Sequence, residues 1–312
     1  MTPVSHLARI LSEGHFAVTA ECGPPQGADP TPLKNKGRLL KDAADAVNLT
    51  DNQTAVVRLS SLASSVALRE MGLEPVLQVV TRDRNRIALQ SDLLGASSLG
   101  LRNVLCLTGD HQSFGNQAGA MGVFDLDSIQ LLHTARTMRD EGRLIDGTEI
   151  ESRPSFFLGA AANPFADPRV FRVIRLAKKI EAGAEFIQTQ CIYNRPRFEA
   201  FMKQAREEGL TERAYILGGI TPLKSVRMAE YMASKVAGMD VPEEVIQRMK
   251  GAPAKGQGAE GIRLAVETIE WLKELDGVSG VHLMAIGWEE KVPEILEAAG
   301  LIPRPILPAQ AE

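Results

Sequence analysis

Eight short apolar runs constrain this chain more than any other feature. They span residues 16–21, 45–50, 74–81, 103–108, 155–161, 185–190, 214–220 and 280–286. Each has the length of a strand and is almost continuously apolar rather than alternating. That is the pattern of parallel strands covered on both faces. Helix-like stretches separate them, among them 128–141, 168–182, 195–208, 222–237 and 260–275. Several of these stop at a glycine (Gly142, Gly183, Gly209), where a left-handed C-terminal residue is wanted. Strands alternating with helices imply βα units and a parallel sheet, and eight such units predict a closed barrel. A doubly wound sheet is the alternative. It would carry a Gly-rich fingerprint directly after its first strand, but here the turn reads Glu21-Cys22-Gly23-Pro24-Pro25.

The expected architecture is therefore α/β: a single (β/α)8 TIM barrel over residues 1–312, with an N-terminal helix and no interdomain linker. Val4, Leu7, Ile10 and Leu11 fit one face of that helix. Segments 109–122 and 250–261 look irregular, and from about residue 301 a proline-rich stretch reads as an extended surface tail. A net charge of −4 argues against a general nucleic-acid binder. No apolar run approaches bilayer length, and residues 1–16 lack a secretory h-region and cleavage site. The three cysteines form no CxxC pair and suit no disulfide framework. A cytoplasmic protein with reduced thiols and no membrane span is expected.

Barrel enzymes carry their sites at the C-terminal strand ends, which selects candidates before any family is considered. Glu21 ends the first run and Asp110 follows the fourth. As carboxylates at the tips of non-adjacent strands, they could face each other across a pocket. A partly desolvated Glu there would have a raised pKa and could act as a general acid. The glycines after Gly109 could let backbone approach a ligand closely. The basic run Arg172, Arg175, Lys178 and Lys179 could bind a phosphate, or could simply be a solvated helix face. Cys106 is placed in the core, while Cys22 and Cys191, near strand tips, are expected to line the pocket. No metal site is expected, because the cysteines and histidines lack ligand spacing.

Several segments, in order, resemble the methylenetetrahydrofolate reductases: VTAECGPP, NVLCLTGDH, KKIEAGAEFIQTQCIYN, LGGITP and GVSGVHLMAIGW. Together they cover nearly the whole chain. The resemblance makes Glu21 the general acid, Asp110 the aspartate beside flavin and pterin, and Gln190 the glutamine that contacts the pterin and the reducing partner. It puts Thr50, Gln78, Gly109, Asn163, Lys178 and Lys179 at or near flavin-site positions. The chain departs from the family pattern at Gln78 (often His), Thr108 (often Arg), Asn163 and Asp167 (Tyr and His), and Cys191 (Phe). These changes leave the flavin type and the electron donor open.

By this resemblance the chain is expected to reduce 5,10-methylenetetrahydrofolate to 5-methyltetrahydrofolate with a bound flavin, FAD ahead of FMN. The reductant would be NADH, NADPH or a protein electron donor. A homo-oligomer or a second electron-transfer subunit is the expected partner. The competing readings are a flavin-carrying subunit active only within a larger complex, and a flavin-free barrel that transfers folate methyl groups.

Overall fold

The computed structural model describes residues 3–236 and 238–308. Its centre is a closed parallel barrel in strand order β1 to β8. The strands are β1 (Ala17–Cys22), β2 (Ala46–Leu49), β3 (Pro75–Val80), β4 (Asn103–Leu107), β5 (Phe157–Ala162), β6 (Phe186–Cys191), β7 (Tyr215–Ile220) and β8 (Val278–Leu283). Every apolar run of the sequence became one of them. The last begins two residues before the expected start because Gly280 lies inside the strand rather than at its first position. A Cβ at Gly280 would sit 2.3 Å from the Ala17 carbonyl oxygen, so the glycine permits the closing β1–β8 contact.

Around the barrel lie α1 (His6–Ser12), α2 (Thr31–Leu40), α3 (Ser61–Arg69), α4 (Arg86–Ser98), α5 (Ser128–Asp140) and α6 (Val170–Ala182). They continue with α7 (Arg195–Glu207), α8 (Val226–Lys235), α9 (Glu243–Gly251), α10 (Gln257–Lys273) and α11 (Val292–Ala298). Two expectations change here. The helix expected at 222–237 starts only at Val226, where the Ser225 hydroxyl caps the Met228 amide. The irregular stretch 250–261 is shorter than expected, because α9 runs into it and α10 begins at Gln257.

Alternation along the strands sorts the side chains into two cores. Val18, Ala20 and Cys22 face outward into the layer between barrel and helices, with Leu33, Leu40 and Leu49. The inward positions build layers inside the barrel. At its N-terminal end Ala17, Val76, Leu105, Phe157, Phe186 and Leu217 pack against Leu7, Ile10 and Leu11 of α1, which plugs that end. Phe157 and Phe186 stack with centroids 5.0 Å apart. The Phe186 ring lies over Gly159, where a Cβ would come within 2.2 Å of it.

The next layer is polar. The Asn48 and Gln188 carboxamides exchange two hydrogen bonds, Asn48 Nδ2 to Gln188 Oε1 at 2.7 Å and Gln188 Nε2 to Asn48 Oδ1 at 3.0 Å. Gln188 also donates to Thr19 Oγ1, which lies 2.9 Å from His282 Nδ1. Such a network costs little only when its members are satisfied, and these bonds set the floor of the site above it.

The proline-rich tail runs without helix or strand to residue 308, and it is tied down rather than loose. Through residue 308 it is held across the N-terminal end of the barrel. Arg304 bonds both carboxylate oxygens of buried Asp45, at 2.6 and 3.0 Å, and the carbonyls of Phe16 and Leu301. Leu307 packs on the α1 cluster. Residues 309–312 lie outside the described part.

Candidate active site

The C-terminal mouth of the barrel holds two adjoining lobes, of about 400 and 340 Å³. Glu21, Gln78 and Lys179 line both. Gln190, Asn163 and His282 belong to the first, and Thr50, Gly109 and Asp110 to the second. The structure thus brings eight of the nine sequence candidates to one mouth. The exception is Lys178, which faces a separate outer groove with Arg86 and Gln130. Neighbouring helix residues point about 100° apart, and the face turned to the mouth carries Arg172, Arg175 and Lys179, spaced three and four residues apart. A further cavity of about 290 Å³ lies off the barrel axis, between α7, α9 and α10. The lining Arg248 is already held by Glu260 and Glu267, and no candidate residue reaches it.

Glu21 occupies an inward position at the end of β1. The surrounding protein raises its pKa from 4.5 to about 7. Burial is the main cause. A hydrogen bond from Gln53 Nε2 to Glu21 Oε1, at 3.0 Å, acts the other way. Glu289 adds a smaller upward push and Lys36 a smaller downward one, and these two are paired with each other at 2.6 Å. Glu21 is therefore a carboxyl that can both hold and release a proton near neutrality.

Asp110 sits exposed on the loop after β4, whose backbone Arg82 organises. The Arg82 guanidinium donates to the Asp110 carbonyl at 3.1 Å and to the Asn52 carbonyl at 3.2 Å, and also binds Asp83. One buried arginine so ties together the loops after β2, β3 and β4. Gly109 turns that loop with φ of +88°, where a Cβ would come within 3.2 Å of the Val80 side chain.

Gln190 uses its carboxamide oxygen on the adjacent Cys191 amide, at 2.9 Å. Its NH2 group remains as a donor toward the lobe it lines. Asn163 has a structural duty as well, since its Oδ1 accepts from the amides of Phe165 and Ala166 and shapes the turn after β5. Lys179 donates to the Ala161 carbonyl, and burial, followed by the nearby Arg175, lowers its pKa to about 8.

The cysteines correct the sequence reading. Since Glu21 points inward, Cys22 must point outward, and it lies in the helix-facing core. Cys191 packs in the cluster beside β7 and α8, its Sγ 2.9 Å from Thr221 Oγ1. Neither lines the mouth, and burial pushes all three thiols up to about 12, far from a reactive thiolate.

Two contributors escape the sequence reading, Arg82 and His282, and Gln53 falls in it just beyond the tip of the second strand without a role. Burial drives the His282 pKa down to about 3, against a weak opposing contact with the Thr19 main chain, so the imidazole is neutral. A lone histidine inside an apolar strand run was its only signal. Among the described residues, no group of three or more His, Cys, Asp or Glu could hold a metal ion, and no helix is long and apolar enough to cross a membrane.

The family model for methylenetetrahydrofolate reductase matches residues 6–300. This chain belongs to that family. A Caenorhabditis elegans protein named probable methylenetetrahydrofolate reductase (NADPH) is 24% identical over 311 residues, covering 95% of this chain and 44% of that protein. Methylenetetrahydrofolate reductase 2 of Schizosaccharomyces pombe is 25% identical over 246 residues, covering 72% of this chain and 36% of its own length. The chain thus spans less than half the length of these methylenetetrahydrofolate reductases. A Clostridium thermocellum protein described as binding two copies of 5-methyl-5,6,7,8-tetrahydrofolic acid overlays with a TM-score of 0.61. Its identity is 14%, with 95% of this chain and 98% of that one covered, so the likeness is one of fold.

Proposed function

We propose that this chain is a flavin-dependent reductase that converts 5,10-methylenetetrahydrofolate to 5-methyltetrahydrofolate. The observation that carries the reading is Glu21, a carboxyl with a pKa near 7 at the floor of a two-lobed mouth, in a chain of this family. The lobes fit a flavin. The Thr50 hydroxyl is sealed from solvent and has no hydrogen-bond partner among the described residues, in the lobe that Gly109 and Asp110 line, so a bound group has a polar atom to satisfy. Arg175 and Lys179 border both lobes and suit phosphate oxygens, and a phosphate beside Lys179 would favour its charged form. Thr50, Gln78, Gly109, Asn163 and Lys179 would hold the cofactor. When bound, a flavin supplies the hydride.

The chain's own residues supply the rest. The folate's five-membered ring must open to a cationic iminium before reduction. Protonated Glu21 would deliver the proton to N10 that helps it open. Asp110 lines the lobe that Glu21 also borders, and its negative charge would stabilise the cation. The Gln190 NH2 would orient the pterin. FAD is expected ahead of FMN, and NADH, NADPH or a reduced protein would return the electrons.

The direct test is the cofactor. The purified chain should show flavin absorption, or gain it on incubation with FAD, and then reduce methylenetetrahydrofolate. A chain that stays colourless with both FAD and FMN overturns the proposal. Asp110→Asn should raise the flavin midpoint potential and slow folate reduction by about 10–10²-fold. That is below the 10²–10³ typical of an enclosed electrostatic group, because Asp110 is exposed. Potentiometry and single-turnover kinetics on the variant check both, and no change in either removes Asp110 from the site.

A second reading, a subunit working only beside an electron-transfer partner, draws on two exposed apolar side chains of the loop after β4. Phe114 is 72% and Met121 88% exposed. Turnover by the isolated chain with NADH or NADPH would exclude it.

A further inference from the structure

Glu21 has two oxygens, and the structure treats them differently. Oε1 receives the Gln53 Nε2 hydrogen bond at 3.0 Å. Among the described residues Oε2 makes no hydrogen bond, and it is not among the sealed-off polar atoms, so it opens to the pocket. In a neutral carboxyl group, the oxygen that accepts an N–H is the carbonyl and the other carries the proton. We infer that Gln53 is a positioning residue that fixes the transferable proton of Glu21 on Oε2, the oxygen open to the pocket. The inference rests on the acid role proposed for Glu21, and nothing in the family resemblance assigned Gln53 a part.

The loop that carries Gln53 is built to keep it there. Asn52, Thr54 and Ala55 all hold positive φ, at 46°, 57° and 56°. None is glycine, so each is strained and must be held by its surroundings. The holding contacts are present on both sides. The Asn52 carbonyl accepts from Arg82, and its side chain accepts from the Arg58 amide. Gly115 lies directly against Ala55, where a Cβ would fall 1.7 Å from the Ala55 oxygen. Asn116 Oδ1 accepts from the Val57 amide at 3.1 Å. The segment beyond Asp110 thus clamps the loop that aims Gln53, a second physical tie between the two carboxylate positions.

The remaining charges around Glu21 do not duplicate this contact. Lys36 on α2 and Glu289 after β8 are paired with each other. Asp110, Arg82, Arg175, Lys179 and neutral His282 lie along the lobes without a hydrogen bond to the Glu21 carboxyl. The buried Cys22 and Cys191 thiols hold their protons.

The test is Gln53→Met, with Gln53→Asn as a second variant that keeps the amide but shortens its reach. The Glu21 carboxyl is titrated by the protonated-carboxyl infrared band that Glu21→Gln removes, on protein free of flavin and folate. An N–H donor favours the carboxylate, so removing it should raise the Glu21 pKa above about 7, by roughly 0.5–1 pH unit. A disrupted loop that admitted water would move it the other way, toward the ordinary glutamate value. On the loaded enzyme, folate reduction should fall about tenfold, part of the 10²–10⁴ that a general acid supplies, while its pH limit moves up. An unmoved or lowered pKa in both variants overturns the assignment. Because the infrared titration needs neither flavin nor folate, it decides this point separately from whether the wild-type chain turns over methylenetetrahydrofolate.

Discussion

Glu21→Gln should leave reduction of the bound flavin by its donor almost unchanged, while the half-reaction with methylenetetrahydrofolate falls by roughly 10²–10⁴-fold. Glutamine keeps the shape of the side chain and can still meet Gln53, so the pocket should survive. What it lacks is the transferable proton. Donor oxidation involves no folate and needs no proton at N10, so the two half-reactions separate the chemical role from a folding defect. The pH dependence follows from the same carboxyl. Its pKa is raised to about 7, so below pH 7 the acid form predominates and proton delivery is available. Above pH 7 the protonated fraction, and with it the folate half-reaction, should fall about tenfold per pH unit. Stopped-flow traces of both half-reactions across pH check this on one preparation. If flavin reduction collapses while folate reduction is spared, or if the wild-type limit lies near the unperturbed glutamate value, Glu21 is not the acid.

The fold was legible because burial on both faces writes itself into sequence as unbroken apolar runs. Within those runs, polar residues at inward positions carried a second message that was read only in part. Glu21, Gln190 and Gln78 were picked out at or near strand tips. Thr19, Asn48, Gln188 and His282 form the polar layer one step deeper, and their partners come from other strands, which no local pattern reports. Alternation alone could have corrected Cys22, since a residue next to an inward Glu21 in a strand must face the helices. Helical phase could likewise have separated Lys179 from Lys178. Gln53 and Arg82 are different. Each acts across loops from separate βα units, so their roles depend on barrel closure, which sets those loops side by side. Gly280 misled the boundary of β8 because a glycine that allows close strand contact looks, in sequence, like one that ends a strand.

The largest stability effect should come from the opposite end of the barrel, at Arg304. The proline-rich composition that marks the tail as irregular gives no hint that this arginine is an anchor. Its guanidinium takes both oxygens of Asp45, whose side chain is fully buried and which otherwise keeps, among the described residues, only the Val18 amide at 2.7 Å. Arg304→Met retains most of the side-chain length but leaves that carboxylate buried with a single donor. Removing one partner of a buried pair costs about 3–5 kcal/mol. An unfolding entropy of about 2.1 cal/mol/K per residue, over 312 residues, converts this to a Tm lower by about 5–8 °C. Arg9→Met is the contrast. Arg9 holds the tail through the Pro308 carbonyl and pairs with exposed Glu13, an outlying contact expected to contribute about 0–1 kcal/mol. Adding Asp45→Asn to Arg304→Met removes the orphaned charge and should recover part of the loss, giving a coupling of about 0.5–3 kcal/mol in the double-mutant cycle. Folate turnover at low temperature should stay at the wild-type level in all three variants, since the mouth lies at the other end of the strands. If Arg304→Met melts within about 2 °C of wild type, the Asp45 bridge does not anchor the tail, and the apolar contact of Leu307 with the α1 cluster must hold it instead.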